Sequence, residues 1–88
     1  MNKQTLFNMI SNNLSLFQAG ILTELYEKPT YRSELASALQ KDDPSTYRAA
    51  LVLVEKGLIE KRYVPKKEGK ATKRSLFVIT KLGQELFQ

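Results

Sequence analysis

The chain has 88 residues and a formal net charge of +5, so it forms one domain with at most a short extension. It has no cysteine and no histidine, which excludes disulfide frameworks and thiolate-bound metal sites and removes the commonest general base, so we expect no metal, no cofactor and no enzymatic activity. Because no apolar run reaches the roughly twenty residues of a membrane span and the N-terminus lacks a signal-peptide pattern, we expect a cytoplasmic protein without membrane contact.

The first segment, residues 3–10, has the pattern of a helix with several apolar side chains. The polar residues 11–13 separate it from the next helix, although one long kinked helix is the alternative. We therefore divide the chain into a helical arm over residues 1–13 and a domain over residues 14–88. The apolar side chains of the arm are Leu6, Phe7, Met9 and Ile10.

A second helix is predicted over residues 15–28. Ser15 and Gln18 have the capping-box spacing, in which each side chain satisfies the other's exposed backbone N–H. Pro29 ends the helix, because proline disfavours helical backbone at the residue before it. Gly20 inside this helix indicates a close contact with a neighbouring helix. The apolar stripe of the helix consists of Phe17, Ile21, Leu22 and Leu25.

Two further helices come next, separated by a tight polar turn. Thr30 is predicted to cap a short helix over residues 31–40, with Leu35, Ala38 and Leu39 facing inward. Asp43 is predicted to cap the next helix, residues 44–56, with Pro44 at its first position, where the missing N–H costs nothing. Gly57 is expected to end this helix in the left-handed conformation.

After residue 57 the pattern changes to that of a β-hairpin. Residues 58–64 and 74–79 are predicted strands, and residues 65–73 between them form a long polar loop. Thr80 is expected to cap a last helix over residues 81–87. Residues 56–81 hold nine basic and two acidic side chains, whereas the rest of the chain holds five basic and seven acidic ones. This basic patch favours nucleic acid as partner, the alternative being a solvated hairpin that only aids solubility.

The order of these elements is that of a helix-turn-helix followed by a wing. The chain resembles the winged helix-turn-helix regulators of prokaryotes, plasmids and viruses, particularly the MarR-like and PadR-like ones. The resembling stretches are residues 31–36 (YRSELA), 44–48 (PSTYR), 54–60 (VEKGLIE) and 74–86 (RSLFVITKLGQEL). The expected fold is therefore mainly α with a small β-hairpin, a winged helix-turn-helix with an extra N-terminal helix.

The resemblance implies a sequence-specific regulator of transcription, most simply a repressor, that binds double-stranded DNA. The helix over residues 44–56 enters the major groove, and the wing, residues 61–74, contacts the phosphate backbone or minor groove. A winged-helix protein–protein module within a larger complex is the alternative. The candidate DNA-binding residues are Arg32 and Ser33 at a helix start, Ser45, Thr46, Tyr47 and Arg48 in the recognition helix, and Lys66, Lys67, Lys70, Lys73 and Arg74 in the wing.

Several of these residues also have structural interpretations. Thr46 can face inward, Tyr47 can pack beside the preceding helix, and Arg48 can form a surface salt bridge. Arg74 can pair with Glu60 across the hairpin.

The recognition helix departs from the family pattern at Leu51 and Val52, where family members usually carry Lys or Arg. An apolar run on all sides of a helix is expected to be buried on several sides. The N-terminal helix, a partner subunit or both are the expected cover, and MarR-like proteins dimerise through helices outside the winged core. We therefore expect a homodimer formed through the N-terminal helix, the alternative being that this helix only covers its own core. No small-molecule effector can be inferred.

Overall fold

The computed structural model describes residues 2–65 and 73–87. Its elements, in chain order, are α1 (Lys3–Ser11), α2 (Leu16–Glu27), β1 (Thr30–Tyr31), α3 (Arg32–Ala38), α4 (Asp43–Glu55), β2 (Ile59–Pro65), β3 (Lys73–Ile79) and α5 (Lys81–Gln84). The strands form one antiparallel sheet in the order β1-β3-β2. The expected fold class, a mainly helical winged helix-turn-helix with a small hairpin, is confirmed. None of the helices within the described ranges is long and apolar enough to cross a membrane.

Local signals in the sequence produce the first two helices as predicted. Ser15 accepts from the Gln18 backbone N–H at 3.1 Å, and the Gln18 side chain accepts from the Ser15 N–H at 2.9 Å, which completes the capping box. At the end of α1, Asn12 closes the helix as its C-cap. A Cβ atom at Gly20 would lie 3.3 Å from the Leu39 side chain, so the close approach expected there is present.

The start of α3 differs from the prediction, because Thr30 belongs to a strand. Its backbone pairs with Phe77 of β3, and its buried hydroxyl donates to the Lys28 carbonyl at 3.0 Å. The N-cap of α3 is Tyr31, which makes no side-chain capping bond. A threonine fits a half-buried strand well, and the pairing with β3 satisfies its backbone, so strand formation wins over capping. Ala38, predicted to face inward, is exposed.

The cap of α4 lies one residue earlier than predicted. The Asp42 carboxylate accepts from the Ser45 backbone N–H at 2.9 Å, so Asp42 is the N-cap and Asp43 the first helical residue. The other end is as expected: Gly57 has φ 76°, and the Leu58 N–H donates to the Leu53 carbonyl at 3.0 Å. This pattern is a Schellman motif, which redirects the chain from α4 into β2.

A single apolar core joins the helices to the sheet. α5 closes this core through Leu86, which lies just beyond the helix and is buried. Thr80 caps α5 by accepting from the Gly83 N–H at 3.1 Å, but the helix is a single turn and does not extend to residue 87. A Cβ atom at Gly83 would lie 2.1 Å from the Leu58 carbonyl oxygen, so only glycine permits this packing. The largest fully buried side chains include Met9, Ile21, Leu22, Leu25, Leu35, Leu53, Ile59 and Phe77.

The cap of α4 makes the stability of the fold depend on pH. The hydrogen bond from the Ser45 backbone, followed by that from its side chain, lowers the pKa of Asp42 below the usual value of 3.8. Because the pKa of Asp42 is lower in the folded protein than in the unfolded chain, the ionised cap stabilises the fold fully at pH values above the unfolded pKa. This contribution is lost as the pH falls through the folded pKa.

We expect Asp42→Ala to lower the thermal midpoint near neutral pH by about 4–8 °C, because the Ser45 N–H loses its acceptor. Asp42→Asn is the matched control, since asparagine caps without titrating. The advantage of the natural protein over Asp42→Asn should shrink as circular dichroism melts are taken from about pH 6 to about pH 2. Midpoints that fall in parallel for these two proteins would contradict a role for the Asp42 charge.

Candidate nucleic-acid interface

The start of α3 is tied to the start of α4 by an ion pair. Arg32 donates from Nε to Asp43 Oδ1 at 2.7 Å, and its guanidinium carbon lies 3.7 Å from the centre of the Tyr47 ring. Arg32, predicted to clamp a phosphate, is therefore partly neutralised and held against α4. Ser33, in the first turn of α3, is exposed.

Ser45 and Arg48 are the candidate contact residues in the first turns of α4, and Ser45 is half-buried. Arg48 is exposed, and its guanidinium donates to the Ser45 hydroxyl at 3.4 Å. Neither ion pair found within residues 2–65 and 73–87 includes Arg48, so the alternative of a surface salt bridge is not realised there. A guanidinium that forms no ion pair keeps most of its planar set of donors available to a base edge or a phosphate.

Thr46 does not belong to this surface. Its side chain is 1% exposed, and its hydroxyl donates to the Asp42 carbonyl at 2.9 Å. The expectation that it contacts DNA is therefore wrong, and the inward alternative holds. The reason is helical geometry: Thr46 lies four residues before Ala50, which is also buried, so both share the inward face of α4.

Tyr47 is half-buried and connects several elements. Its hydroxyl accepts a hydrogen bond from Lys61 Nζ of β2 at 2.7 Å, and its ring centre lies 6.2 Å from that of Phe77 of β3. The ammonium of Lys61 lies 5.2 Å from the centre of the Tyr47 ring and 4.8 Å from that of Tyr63. The hydrogen bond to Tyr47, followed by that to Tyr63, raises the pKa of Lys61 above its usual value.

Lys61 is a site residue that the sequence did not single out, although it lies at the edge of the predicted wing. The signal was available in the alternation of β2. Ile59 is buried, so Lys61 and Tyr63 fall on the same face of the strand as a core residue. That this face meets Tyr47 of α4 depends on the tertiary fold.

Arg74 does not form the ion pair with Glu60 that was one of its two expected roles. Its guanidinium carbon lies 3.9 Å from the centre of the Tyr31 ring, and the pairing with Glu60 is not formed. In the register, Glu60 lies opposite Val78, too far along the strand to reach Arg74. Glu60 instead forms an ion pair with Arg62 on its own strand. Arg74 remains exposed at the edge of the hairpin.

Most of the predicted wing lysines are outside the part of the chain that the structure describes. Lys66, Lys67 and Lys70 lie in the loop between β2 and β3. Lys73 is described only through its backbone, which pairs with Pro65. The two strands on either side of this segment are paired at every residue, from the pair Ile59 and Ile79 to the pair Pro65 and Lys73.

A second exposed surface is apolar and lies on α1. Met9 and Thr5 are buried, whereas Leu6, Phe7 and Ile10 are 46%, 65% and 62% exposed. Val52 of α4 is 40% exposed in the single chain, so α1 of the same chain does not cover it, and its cover by a partner subunit stays a prediction. Leu51 is half-buried.

Comparison with solved structures identifies the fold. The chain superimposes on S. aureus MepR in complex with DNA with a TM-score of 0.76 and 24% identity, covering 96% of this chain and 68% of MepR. A MarR-family transcriptional regulator from Rhodococcus sp. gives 0.77 and 16%, over 94% and 56%. The zinc-responsive MarR-family member ZitR of Lactococcus lactis gives 0.71 and 20%, over 83% and 48%.

The Rhodococcus protein is a transcriptional regulator, and what all three proteins share with this chain is the winged helix-turn-helix fold. The chain spans about half to two thirds of their length. No protein-family model matches the sequence, and no curated protein matches it.

Proposed function

We propose that this protein is a non-enzymatic regulator of transcription that binds double-stranded DNA, most simply a repressor in the cytoplasm. The observation that carries the proposal is the exposed Arg48, which forms no ion pair among the described residues, in the first turns of the helix after the tight turn. In a helix-turn-helix this is the helix that enters the major groove. MepR, which shares the fold, has been solved as a complex with DNA.

Each part of the surface has a distinct role in this proposal. Arg48 reads a base edge by a bidentate contact to guanine, and Ser45 donates to a base or phosphate once its hydroxyl proton turns away from Asp42. Ser33 contacts a phosphate near the start of α3. The wing cations Lys66, Lys67, Lys70, Lys73 and Arg74 contact the backbone or minor groove, which contributes affinity without sequence preference.

We further propose that the regulator is a homodimer in which α1 provides the contact. Three large apolar side chains of α1 are exposed in the single chain, while Met9 holds the helix to its own core. Pairing such a patch with its counterpart across a two-fold axis removes both from water. A two-fold dimer places its two α4 helices about 34–36 Å apart, which matches a near-palindromic site.

A winged-helix module that binds proteins is the alternative function. The exposed apolar residues of α1 are compatible with it. The basic hairpin favours DNA, because a module that only binds protein has no need for concentrated positive charge. The two functions differ in the salt dependence of duplex binding.

Replacing Arg48 with alanine tests base readout. The affinity for the preferred site, obtained by selection from random duplexes, should fall by about 1–3 kcal/mol, and the preference at one base position should relax. Fluorescence anisotropy with site variants measures both effects. Arg62→Ala, which removes a cation already paired with Glu60, is the control. An equal loss on every sequence would show that Arg48 clamps a phosphate instead.

The role of the wing is tested by replacing Lys66, Lys67 and Lys70 together with alanine. Affinity should fall on all duplexes alike, and the dependence of log K on log salt should flatten by about one unit for each phosphate that is no longer bound. A salt titration of duplex binding measures this slope. Unchanged affinity at low salt would show that the wing does not touch DNA.

The dimer is tested with Phe7→Glu and Ile10→Glu combined, since both side chains are exposed and the buried Met9 stays in place. We expect a monomer by light scattering, with the affinity for a palindrome reduced to that for a half-site. Gln4→Glu, on the same helix, is the charge control. A natural protein that is monomeric at high micromolar concentration and binds a half-site as tightly as a palindrome would refute the dimer.

A further inference from the structure

We propose that Lys61 and the hydroxyl of Tyr47 form a phosphate-binding pair between α4 and the hairpin. The proposal rests on the proposed DNA-binding function and adds a site to it. It assigns a role to Lys61, and it assigns to Tyr47 a contact with a phosphate oxygen instead of a base or sugar.

The ammonium of Lys61 is held in place before any ligand arrives. It donates to the Tyr47 hydroxyl at 2.7 Å and lies near the faces of the Tyr47 and Tyr63 rings. An ammonium has three donors, so one remains for an anion when the bonds to Tyr47 and Tyr63 are both made. Since the side chain has already lost rotational freedom, binding an anion costs less entropy than it does for an ordinary surface lysine.

The charge of Lys61 is not offset by a carboxylate. Two neighbouring cations do form ion pairs: Arg32 is paired with Asp43, and Arg62 is paired with Glu60. No ion pair of Lys61 is found in the part of the chain that the structure describes. A lysine ammonium is charged throughout the physiological pH range, and the hydrogen bonds to Tyr47 and Tyr63 raise the pKa of Lys61 further. An unpaired, fixed cation is the kind of group that attracts phosphate.

The Tyr47 hydroxyl completes the pair. It accepts from Lys61, and a phenolic hydroxyl can accept and donate at the same time. No hydrogen bond donated by this hydroxyl is found within residues 2–65 and 73–87, so its proton is available to an oxygen that also contacts the ammonium. Two donors from different elements thus converge on one position.

The position of this pair fits a duplex that touches both elements. Tyr47 is next to Arg48 in α4, and Lys61 begins the part of β2 that leads into the wing. When α4 lies in the major groove and the wing contacts the backbone, one phosphate of the DNA lies at the gap between α4 and the wing. The pair lies at this gap, beside the Arg32 guanidinium, which stacks on the Tyr47 ring and is paired with Asp43.

The first test measures salt dependence with the full chain and its preferred duplex. Lys61→Met should lower affinity roughly three- to tenfold and reduce the salt slope by about one. Lys61→Gln keeps a donor to Tyr47 without the charge, and it should show the same reduced slope. Lys56→Met is the matched control: Lys56, at the far end of α4, donates to the Asn12 carbonyl in the arm at 3.5 Å, so its removal should leave the slope unchanged.

The second test locates the phosphate. Duplexes in which single phosphates are replaced by neutral methylphosphonates should reveal one position per half-site that weakens binding by the natural protein but not by Lys61→Met. Tyr47→Phe keeps the ring on Arg32 and Phe77 but removes the hydroxyl, and it should weaken sensitivity to the same position. If every methylphosphonate weakens the natural protein and Lys61→Met equally, the phosphate-binding pair is refuted.

A measurement on the free protein separates the phosphate-binding pair from the proposed DNA-binding function. The ammonium of Lys61 should give a distinct nitrogen resonance in NMR spectra, and Tyr47→Phe should remove it while the circular dichroism melt stays close to that of the natural protein. If that resonance is observed but no duplex binds in a salt-dependent way, the DNA-binding function fails and the pair fails with it as a phosphate site. If Arg48→Ala weakens binding but Lys61→Met does not, the function stands and only the phosphate-binding pair is refuted.

Discussion

The ring of Tyr47 connects the core of the protein to its candidate DNA-binding surface. On the core side it packs near Phe77, which is fully buried, and on the surface side it contacts Arg32 of α3 and Lys61 of β2. A single cation over an exposed ring contributes only about 0.5–1 kcal/mol. Because these contacts share one ring that is itself anchored by a core residue, they orient α3, α4 and the hairpin relative to one another.

Ion pairing divides the cations of this surface into two groups. Arg32 and Arg62 form ion pairs with carboxylates, whereas Arg48, Lys61 and Arg74 form none among the described residues. Surface ion pairs contribute little to stability, so the main consequence of this division concerns binding. These cations lie on α4, at the base of the hairpin and at its edge, so the proposed base contact of Arg48 and the proposed backbone contacts of Lys61 and Arg74 fall on one surface.

The arm shows how one short helix can serve two purposes. Met9 enters the core of its own chain, and the Asn8 side chain donates to the Leu86 carbonyl at 3.1 Å, so α1 has a fixed position. The remaining apolar side chains of α1 face solvent. A small domain buries only a modest core, and an apolar surface presented by a fixed helix is suited to burial against a second subunit.

Features that depend on neighbouring residues could be predicted from the sequence. The capping box of Ser15, the end of α2 at Pro29, the left-handed Gly57 and the cap at Thr80 each involve backbone constraints or bonds within a few residues. The basic hairpin and α4 could be located for the same reason, and with them the exposed Arg48.

Only the tertiary structure decided which of several local options was used. Thr30 fits both a cap and a strand, and the free edge of β3, far along the chain, selects the strand. Thr46 and Arg48 are both polar residues of one helix turn, but the core lies on the side of Thr46. The sequence does not distinguish Lys61 from the other lysines, whereas the fold places its ammonium against the Tyr47 hydroxyl. In each case the deciding contact joins residues distant in sequence, whose approach no local pattern encodes.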